Sequence, residues 1–433
     1  GGESIVIDSQ DIRERFSLNE FTGQLFIHAL GIAGHDTVKY ALDIYGDRGN
    51  ALSCTHDANA WPADFYAGLP APQKNEKIVL WVQNSHPNTI PAGEIGFKIM
   101  GTDKYVLLDR EVPPFATLPV SVNQILPDAA WPQQIEVLAG KHFVRPRYEI
   151  TSTNGDNRIA HVNVERADLK SDSEISKIGE LLGKGYILPA PILPPKTWSS
   201  VALPTPMTIS QDILPVALLG YDPDGQEILR LPLGKLPRNH TRFVDLSTET
   251  NIENLLNGQF GHMELVYDFA NGGHVDGWLH SLFRFENRAT GNVAETSFGA
   301  HIFNSVLTYG AEPQSYSGRA PGLTTRLFLR VGIEPLETIC HLIYPSSTPW
   351  RSKSKTDIKL FNGKGTEVAH KKIEIPCGGS RFWKHSELFD GSTREKAGNK
   401  SYVIIRDTTC RLFGYHGLVH PDGGFSLDHM FGF

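Results

Sequence analysis

The most concentrated set of groups able to do chemistry lies in one glycine-flanked segment. It holds His274, Asp276 and His280, and His301 follows in the next apolar stretch. If the segment is extended, side chains alternate between two faces and these first three share one face. Imidazole nitrogens with a carboxylate suit Zn²⁺ or non-haem Fe²⁺, and three protein ligands with an open position form a catalytic arrangement. The pattern therefore predicts a Zn or Fe site at these four residues, and the alternative is hydrogen-bonded rim residues around a glycine turn.

A second pattern pairs histidines near the two ends of the chain. His56 and His429 occupy matching places in a repeated stretch, and the intervening copies place Asn163 and Ser297 there. One explanation is a buried polar position that backbone groups satisfy in every copy. The other explanation is a site that the first and last copies share. The sequence leaves both open.

Other catalytic signatures are absent from the sequence. No Gly-x-Ser-x-Gly nucleophile elbow and no glycine-rich phosphate loop occur, so no catalytic residue or organic cofactor is predicted. The four cysteines lack metal-binding spacing and are expected to be free thiols. Loop aromatics such as Trp61, Trp131 and Trp350 could contact a glycan or a protein, or could cover the ends of a core.

Charge and hydropathy exclude two classes of partner. Lys and Arg total 41 against 48 Asp and Glu, which gives a net charge of −7 and argues against a nucleic-acid surface. No apolar stretch reaches the ~18 residues that a transmembrane helix needs. Because the N-terminus shows no signal-peptide pattern and the cysteines form no disulfide framework, a cytoplasmic location is expected.

Short β-branched and aromatic runs bounded by turn residues dominate the chain and predict a β protein. The one helical pattern is Ser171–Gly183, where an apolar stripe is formed by Ile175, Ile178, Leu181 and Leu182.

Two layouts recur along the chain. The first ends in a proline at Pro113, Pro237 and Pro376, where a strand is expected to stop because proline cannot donate to the ladder. The second occurs about four times, and its equivalent strands are predicted to bury Leu52, Ile159, Val293 and Phe425. Six or seven short strands per unit predict tandem immunoglobulin-like or fibronectin-like β-sandwich repeats with one short linker helix.

The repeats predict a domain order along the chain: an N-terminal half-unit at 1–62, a first sandwich at 63–166, a helix and proline-rich linker at 167–197, a second sandwich at 198–303, a linker at 304–323 and a third sandwich at 324–433. A half-unit of two or three strands is marginally stable alone, so it must complete another element. Docking within the same chain is expected, and contact with the last unit is the more specific alternative.

The shared scaffold and the differing polar groups of the copies favour a non-catalytic binding or assembly protein with a protein or glycan partner. One alternative is a metal-dependent enzyme using the site in the second unit. A further alternative is a carbohydrate-binding module.

Overall fold

The fold is all-β, as predicted, and consists of short antiparallel strands in several small sheets. The computed structural model describes residues 2–19, 22–27, 41–45, 52–56, 62–153, 155–173, 175–178, 188–301, 303–309, 312–315, 324–345 and 351–430. None of the helices in these ranges is long and apolar enough to cross a lipid bilayer.

The N-terminal region contributes one helix and one hairpin. Helix α1 (Ser9–Phe16) begins after Asp8, whose carboxylate accepts a hydrogen bond from the Gln10 amide. No residue of α1 is buried, which explains why apolar periodicity did not reveal it. The hairpin pairs β1 (Ala41–Tyr45) with β2 (Leu52–His56).

Eight strands and a short ninth form the first sandwich. One sheet has the order β3-β8-β5-β6 with β11 beside β3, and the other has the order β7-β4-β9-β10. The elements are β3 (Phe65–Pro70), β4 (Glu76–Gln83), β5 (Gly96–Ile99), β6 (Val106–Leu107), β7 (Thr117–Ser121), α2 (Val122–Ile125), β8 (Gln134–Leu138), β9 (Arg147–Ser152), β10 (Asn157–His161) and β11 (Asn163–Glu165).

The second sandwich repeats this connectivity, with sheet orders β12-β17-β14-β15 and β16-β13-β18-β19. Its elements are β12 (Leu188–Ile192), β13 (Trp198–Thr205), β14 (Ile213–Tyr221), β15 (Glu227–Pro237), β16 (Val244–Asp245), α3 (Leu246–Glu249), α4 (Ile252–Leu255), β17 (Gly261–Tyr267), β18 (Trp278–Asn287) and β19 (Val293–His301). A hairpin of β20 (Phe303–Tyr309) and β21 (Glu312–Ser315) follows, within the segment expected to be a linker.

The third sandwich has the orders β22-β27-β24-β25 and β26-β23-β28-β29. Its elements are β22 (Thr325–Arg330), β23 (Glu337–Ile343), β24 (Thr356–Phe361), β25 (Glu367–Ile373), β26 (Ser380–Lys384), α5 (His385–Leu388), α6 (Gly391–Ala397), β27 (Tyr402–Asp407), β28 (Phe413–Val419) and β29 (Phe425–His429). In all three units, therefore, the first, sixth, third and fourth strands form one sheet and the fifth, second, seventh and eighth form the other.

Alternation along the strands builds the core between the two sheets. In β4, Ile78, Leu80 and Val82 are fully buried while the residues between them are not. The core of the first unit is separate, whereas the core of the second unit continues into Ile339 and Tyr415 of the third.

The proline-rich segment expected to be a linker contains the strand β12. Pro189 and Pro191 lie in it, and β12 is an edge strand that pairs with β17 alone. An edge strand tolerates proline because its outer side needs no hydrogen-bond donor. The expected helix over 171–183 shows a 3₁₀ turn at Ile175–Ile178, and residues 174 and 179–183 lie outside the described residues.

The repeated proline occupies one place in the topology. Pro113, Pro237 and Pro376 each lie at the end of the fourth strand or in its connection to the fifth. The apolar stretch after it forms one helical turn, α2, α3 or α5, directly after the fifth strand. The sequence pattern had indicated the recurrence but not this helical geometry.

Three of the four predicted core residues in the last strand of each copy are buried: Leu52, Ile159 and Phe425. Val293 is half-buried, and its cross-strand partner Glu286 is exposed. All four cysteines are free thiols.

Candidate metal centre where the repeats meet

Four strands that occupy the same position in their copies of the repeat lie against one another. Strand β2 lies against β10 and β29, and β19 lies against the same two strands. We call these four strands the edge-strand junction. Three are the eighth strands of their units, and β2 is the second strand of the N-terminal hairpin, which the sequence aligned with them.

The hairpin is bonded to both the first and the third units. The Ser53 hydroxyl accepts a hydrogen bond from the Ile159 amide at 2.7 Å. On the other side Arg330 pairs with Asp43 at 2.9 Å. The hairpin therefore docks within its own chain, as expected, and the contact with the last unit is part of that docking.

Three imidazoles gather in this junction and define the histidine cluster: His56, His161 and His429. Each is the last residue of its five-residue strand, β2, β10 or β29. Their side chains each offer one ligand atom, and these atoms all lie within 4.8 Å of one another. The residues are 1%, 2% and 8% exposed, so the cluster is buried. Among the described residues, this is the one group of three metal-binding side chains whose ligand atoms lie so close together.

The Nδ1 atom of each imidazole is already engaged. His56 Nδ1 lies 2.7 Å from Asp428 Oδ2, His161 Nδ1 lies 3.3 Å from the Thr55 hydroxyl, and His429 Nδ1 lies 3.1 Å from the Thr296 hydroxyl. Hydrogen bonding at one ring nitrogen leaves the other nitrogen to act as the ligand. On the far side of the His161 ring, Nε2 is buried and has no hydrogen-bond partner.

Burial sets the charge state of the cluster. It lowers the pKa of His56 to about 3, although Asp428 opposes this shift, and it holds the pKa of His161 well below its usual value. Burial alone would raise the pKa of Asp428, but its contacts with His56 and His429 outweigh this and hold the pKa well below its usual value. His56 and His161 are therefore held neutral beside an ionised Asp428, and a neutral imidazole is the form that binds a metal.

An arginine approaches the cluster from the first unit. Arg145 Nη2 lies 3.1 Å from His56 Nε2, and Arg147 donates to the His56 carbonyl at 2.6 Å. Since His56 Nδ1 donates to Asp428, its Nε2 accepts from Arg145. A cation at this nitrogen would have to displace that guanidinium.

The predicted site in the second unit has a different geometry. His280 is buried, and its Nε2 lies 2.5 Å from Asn163 Nδ2 and 2.7 Å from the Ser297 hydroxyl. Its ring packs on Gly68, which has a φ of +83° beside a bulge in β3 and where a Cβ atom would come within 2.5 Å of the ring. Asn163 and Ser297, which the sequence set beside His56 and His429, thus bind His280 instead.

The other predicted ligands have partners of their own or are not described. Asp276 accepts hydrogen bonds from the Thr208 hydroxyl at 2.6 Å and the Trp278 amide at 2.9 Å. His274 is exposed, and the side chain of His301 lies outside the described residues. The metal site at these four residues stays a prediction.

His161 is the member of the histidine cluster that the sequence did not reveal. The alignment placed Asn163 opposite His56, two residues away from the true structural match. A usable signal was present, because three of the four copies carry histidine as the fifth residue of this strand, where the remaining copy has Ser297.

A second buried cluster joins β10 to β19, and we call it the arginine junction. Arg158 pairs with Glu295 at 2.8 Å, Glu76 at 2.6 Å and Asp156 at 3.2 Å. Arg284 also lies 3.2 Å from Glu295. Burial alone would raise the pKa of Glu295, but the two guanidinium groups outweigh it and lower the pKa. The carboxylates of two units thus neutralise one fully buried arginine.

Comparison with known proteins identifies no family for the chain. No protein-family model matches it, and no curated protein matches it. Dimeric latent PorU from Porphyromonas gingivalis is 11% identical over 85% of this chain, with a TM-score of 0.18, and the match spans 29% of the PorU chain. The FN1–FN3 domains of chicken CNTN1 are 9% identical, with 85% of this chain and 97% of that chain covered and a TM-score of 0.11. Both TM-scores are low, so neither protein's function transfers to this chain.

Proposed function

We propose that the chain is a non-catalytic binding or assembly protein whose sandwich units are locked together by buried polar junctions. The observation that carries this proposal is the location of its reactive side chains. His56, His161, His280 and Glu295 are all buried, and each contacts a residue of another repeat. A catalytic group must reach a substrate, whereas these groups reach other units.

Buried ion pairs suit a role in fixing how units are arranged. Removing one partner leaves a buried charge uncompensated and costs about 3–5 kcal/mol, so mismatched arrangements are strongly disfavoured. The arginine junction takes Glu76, Asp156 and Arg158 from the first unit and Glu295 from the second. Arg238 of the second unit likewise reaches Glu136 and Glu165 of the first. Such contacts hold a scaffold in one arrangement.

The other candidate functions have less support. Asp276 and His280 form hydrogen bonds with different groups. The metal-dependent enzyme using His274, Asp276, His280 and His301 is therefore supported by the sequence pattern alone. Trp131 is a candidate contact for a glycan, but the Arg284 guanidinium lies 3.9 Å from the centre of its ring and covers it.

Calorimetry of the full chain tests the scaffold proposal. The first and second units should unfold in one transition, and Glu295→Gln should separate it into two because the variant removes the charge between Arg158 and Arg284. The matched control is Glu227→Gln, which loses an exposed pair with Arg230 and should keep one transition. Separate transitions for the first and second units in the unmodified chain would contradict the proposal.

A further inference from the structure

We propose that His56, His161 and His429 bind one divalent transition-metal ion, with Zn²⁺ the best match, and that this ion joins the N-terminal hairpin to the first and third units. The site goes beyond the proposed scaffold function, because the scaffold could be held by the ion pairs alone.

The donor set supports zinc. Three neutral imidazoles are good ligands for Zn²⁺, which prefers a tetrahedral arrangement of nitrogen or sulfur donors. The Nδ1 contacts orient the rings, and in His161 the buried Nε2 is the ligand atom. The Asp428 carboxylate, which contacts both His56 and His429, matches the carboxylate–histidine pairs that fix metal-bound imidazoles.

The unpartnered nitrogen supports the same conclusion independently. His161 Nε2 is buried without a hydrogen-bond partner, and leaving a buried polar atom unsatisfied costs about 1–3 kcal/mol. The centres of the His56 and His429 rings lie 4.2 Å and 5.4 Å from that of His161. A metal ion would satisfy this nitrogen.

Binding requires a small closure of the site. Tetrahedral nitrogens at the usual zinc distance lie about 3.3 Å apart, against separations of up to 4.8 Å here. The Arg145 guanidinium must also withdraw from His56 Nε2. Arg145 is therefore a competitor of the metal, which gives the test a variant that should improve binding.

The buried location sets the role of the ion. The ligands come from the hairpin, the first unit and the third unit, so one ion would connect three parts of the chain that lie far apart in sequence. All three imidazoles are buried, so a substrate in solution would not reach the ion. The ion would therefore have a structural role.

Zinc titration of the full chain tests the site. The protein is prepared without nickel resin, dialysed against chelator and titrated with Zn²⁺ against a competing dye. We expect one equivalent to bind, and we expect Co²⁺ in its place to show the visible bands of tetrahedral coordination. His161→Gln should abolish binding, and Asp428→Asn should weaken it by roughly 10–100-fold. Arg145→Gln should tighten it.

The matched control is His341→Gln. His341 is also a buried histidine, with both ring nitrogens unpartnered, but it lies between Phe260 and Phe382 outside the cluster. It should leave zinc binding unchanged.

Three results would overturn the metal site: no zinc bound by the unmodified chain, binding that survives His161→Gln, or an equal loss in His341→Gln. If His161→Gln fails to fold, the Co²⁺ spectrum and tighter binding by Arg145→Gln decide the question. Failure of the metal site would leave the calorimetric test of the scaffold unaffected.

Discussion

The arginine junction and the histidine cluster lie beside the same strand, β10, and solve the burial of polar groups differently. At the arginine junction, one guanidinium faces three carboxylates from two units within 3.2 Å. At the histidine cluster, three imidazoles lie beside one carboxylate, and His161 Nε2 has no hydrogen-bond partner. The arginine junction pairs opposite charges, whereas the histidine cluster holds a buried nitrogen that the proposed metal ion would satisfy.

The difference shows how one repeated scaffold acquires distinct junctions. Equivalent strands supply the backbone, and the residues near their ends decide the chemistry. Arg158 and His161 are three residues apart in β10, yet one faces Glu295 of β19 and the other faces His56 of β2. Substitutions at the two junctions should therefore differ in their effect on the stability of the protein.

The largest expected effect is at the arginine junction. Arg158→Met leaves Glu76, Asp156 and Glu295 buried without their shared cation, and this should lower the free energy of unfolding by about 3–5 kcal/mol. Denaturant unfolding monitored by tryptophan fluorescence measures it. Arg230→Met is the control, because its pair with Glu227 is largely exposed and should contribute less than about 1 kcal/mol. Equal effects of the two variants would refute the structural role of the arginine junction.

A smaller effect is expected from the packing of the hairpin. Leu52 begins β2 and is buried, so Leu52→Ala should cost roughly 2–5 kcal/mol of stability. Leu42→Ala in the same hairpin is the matched control, because Leu42 is exposed. A cost near zero at Leu52 would mean that the hairpin does not dock, and the histidine cluster would then lack one of its ligands.

The smallest effect is in the pH dependence of a buried imidazole outside the histidine cluster. Burial lowers the pKa of His341 to about 3, so the unfolded chain binds a proton near pH 6.5 that the folded chain refuses. Stability from this group is thus present above pH 6.5 and is lost as the pH falls toward 3. His341→Gln should reduce the slope of unfolding free energy between pH 6 and pH 4 by about 1.4 kcal/mol per pH unit.

Phe382→Leu provides the control for that slope, because it alters packing beside His341 without removing a titrating group. It should lower stability at every pH and leave the slope unchanged. An unchanged slope in His341→Gln would show that the imidazole is not held neutral by burial.

The sequence predicted the repeats well, because alternation in strands such as β4 and turn residues between them are local signals. It predicted the burial of Leu52, Ile159 and Phe425 for the same reason. Pro189 and Pro191 misled the prediction, since proline marks linkers and edge strands alike. The partners of His56 could not be predicted, because Asp428 is separated from it by 372 residues and only the closing of the repeats brings them together.

The most direct test of that closure is a double-mutant cycle between His56 and Asp428, measured by unfolding at pH 8 in the presence of chelator. Residues in contact show coupling energies of about 0.5–3 kcal/mol, and we expect His56→Asn with Asp428→Asn to fall in this range. The control cycle pairs His56→Asn with Asp407→Asn, a buried carboxylate of the third unit that bonds Lys355 and Thr409 instead. That control should give no coupling. Additive effects of His56 and Asp428 would contradict the closed junction, and with it the account of the hairpin as the element that joins the first repeat to the last.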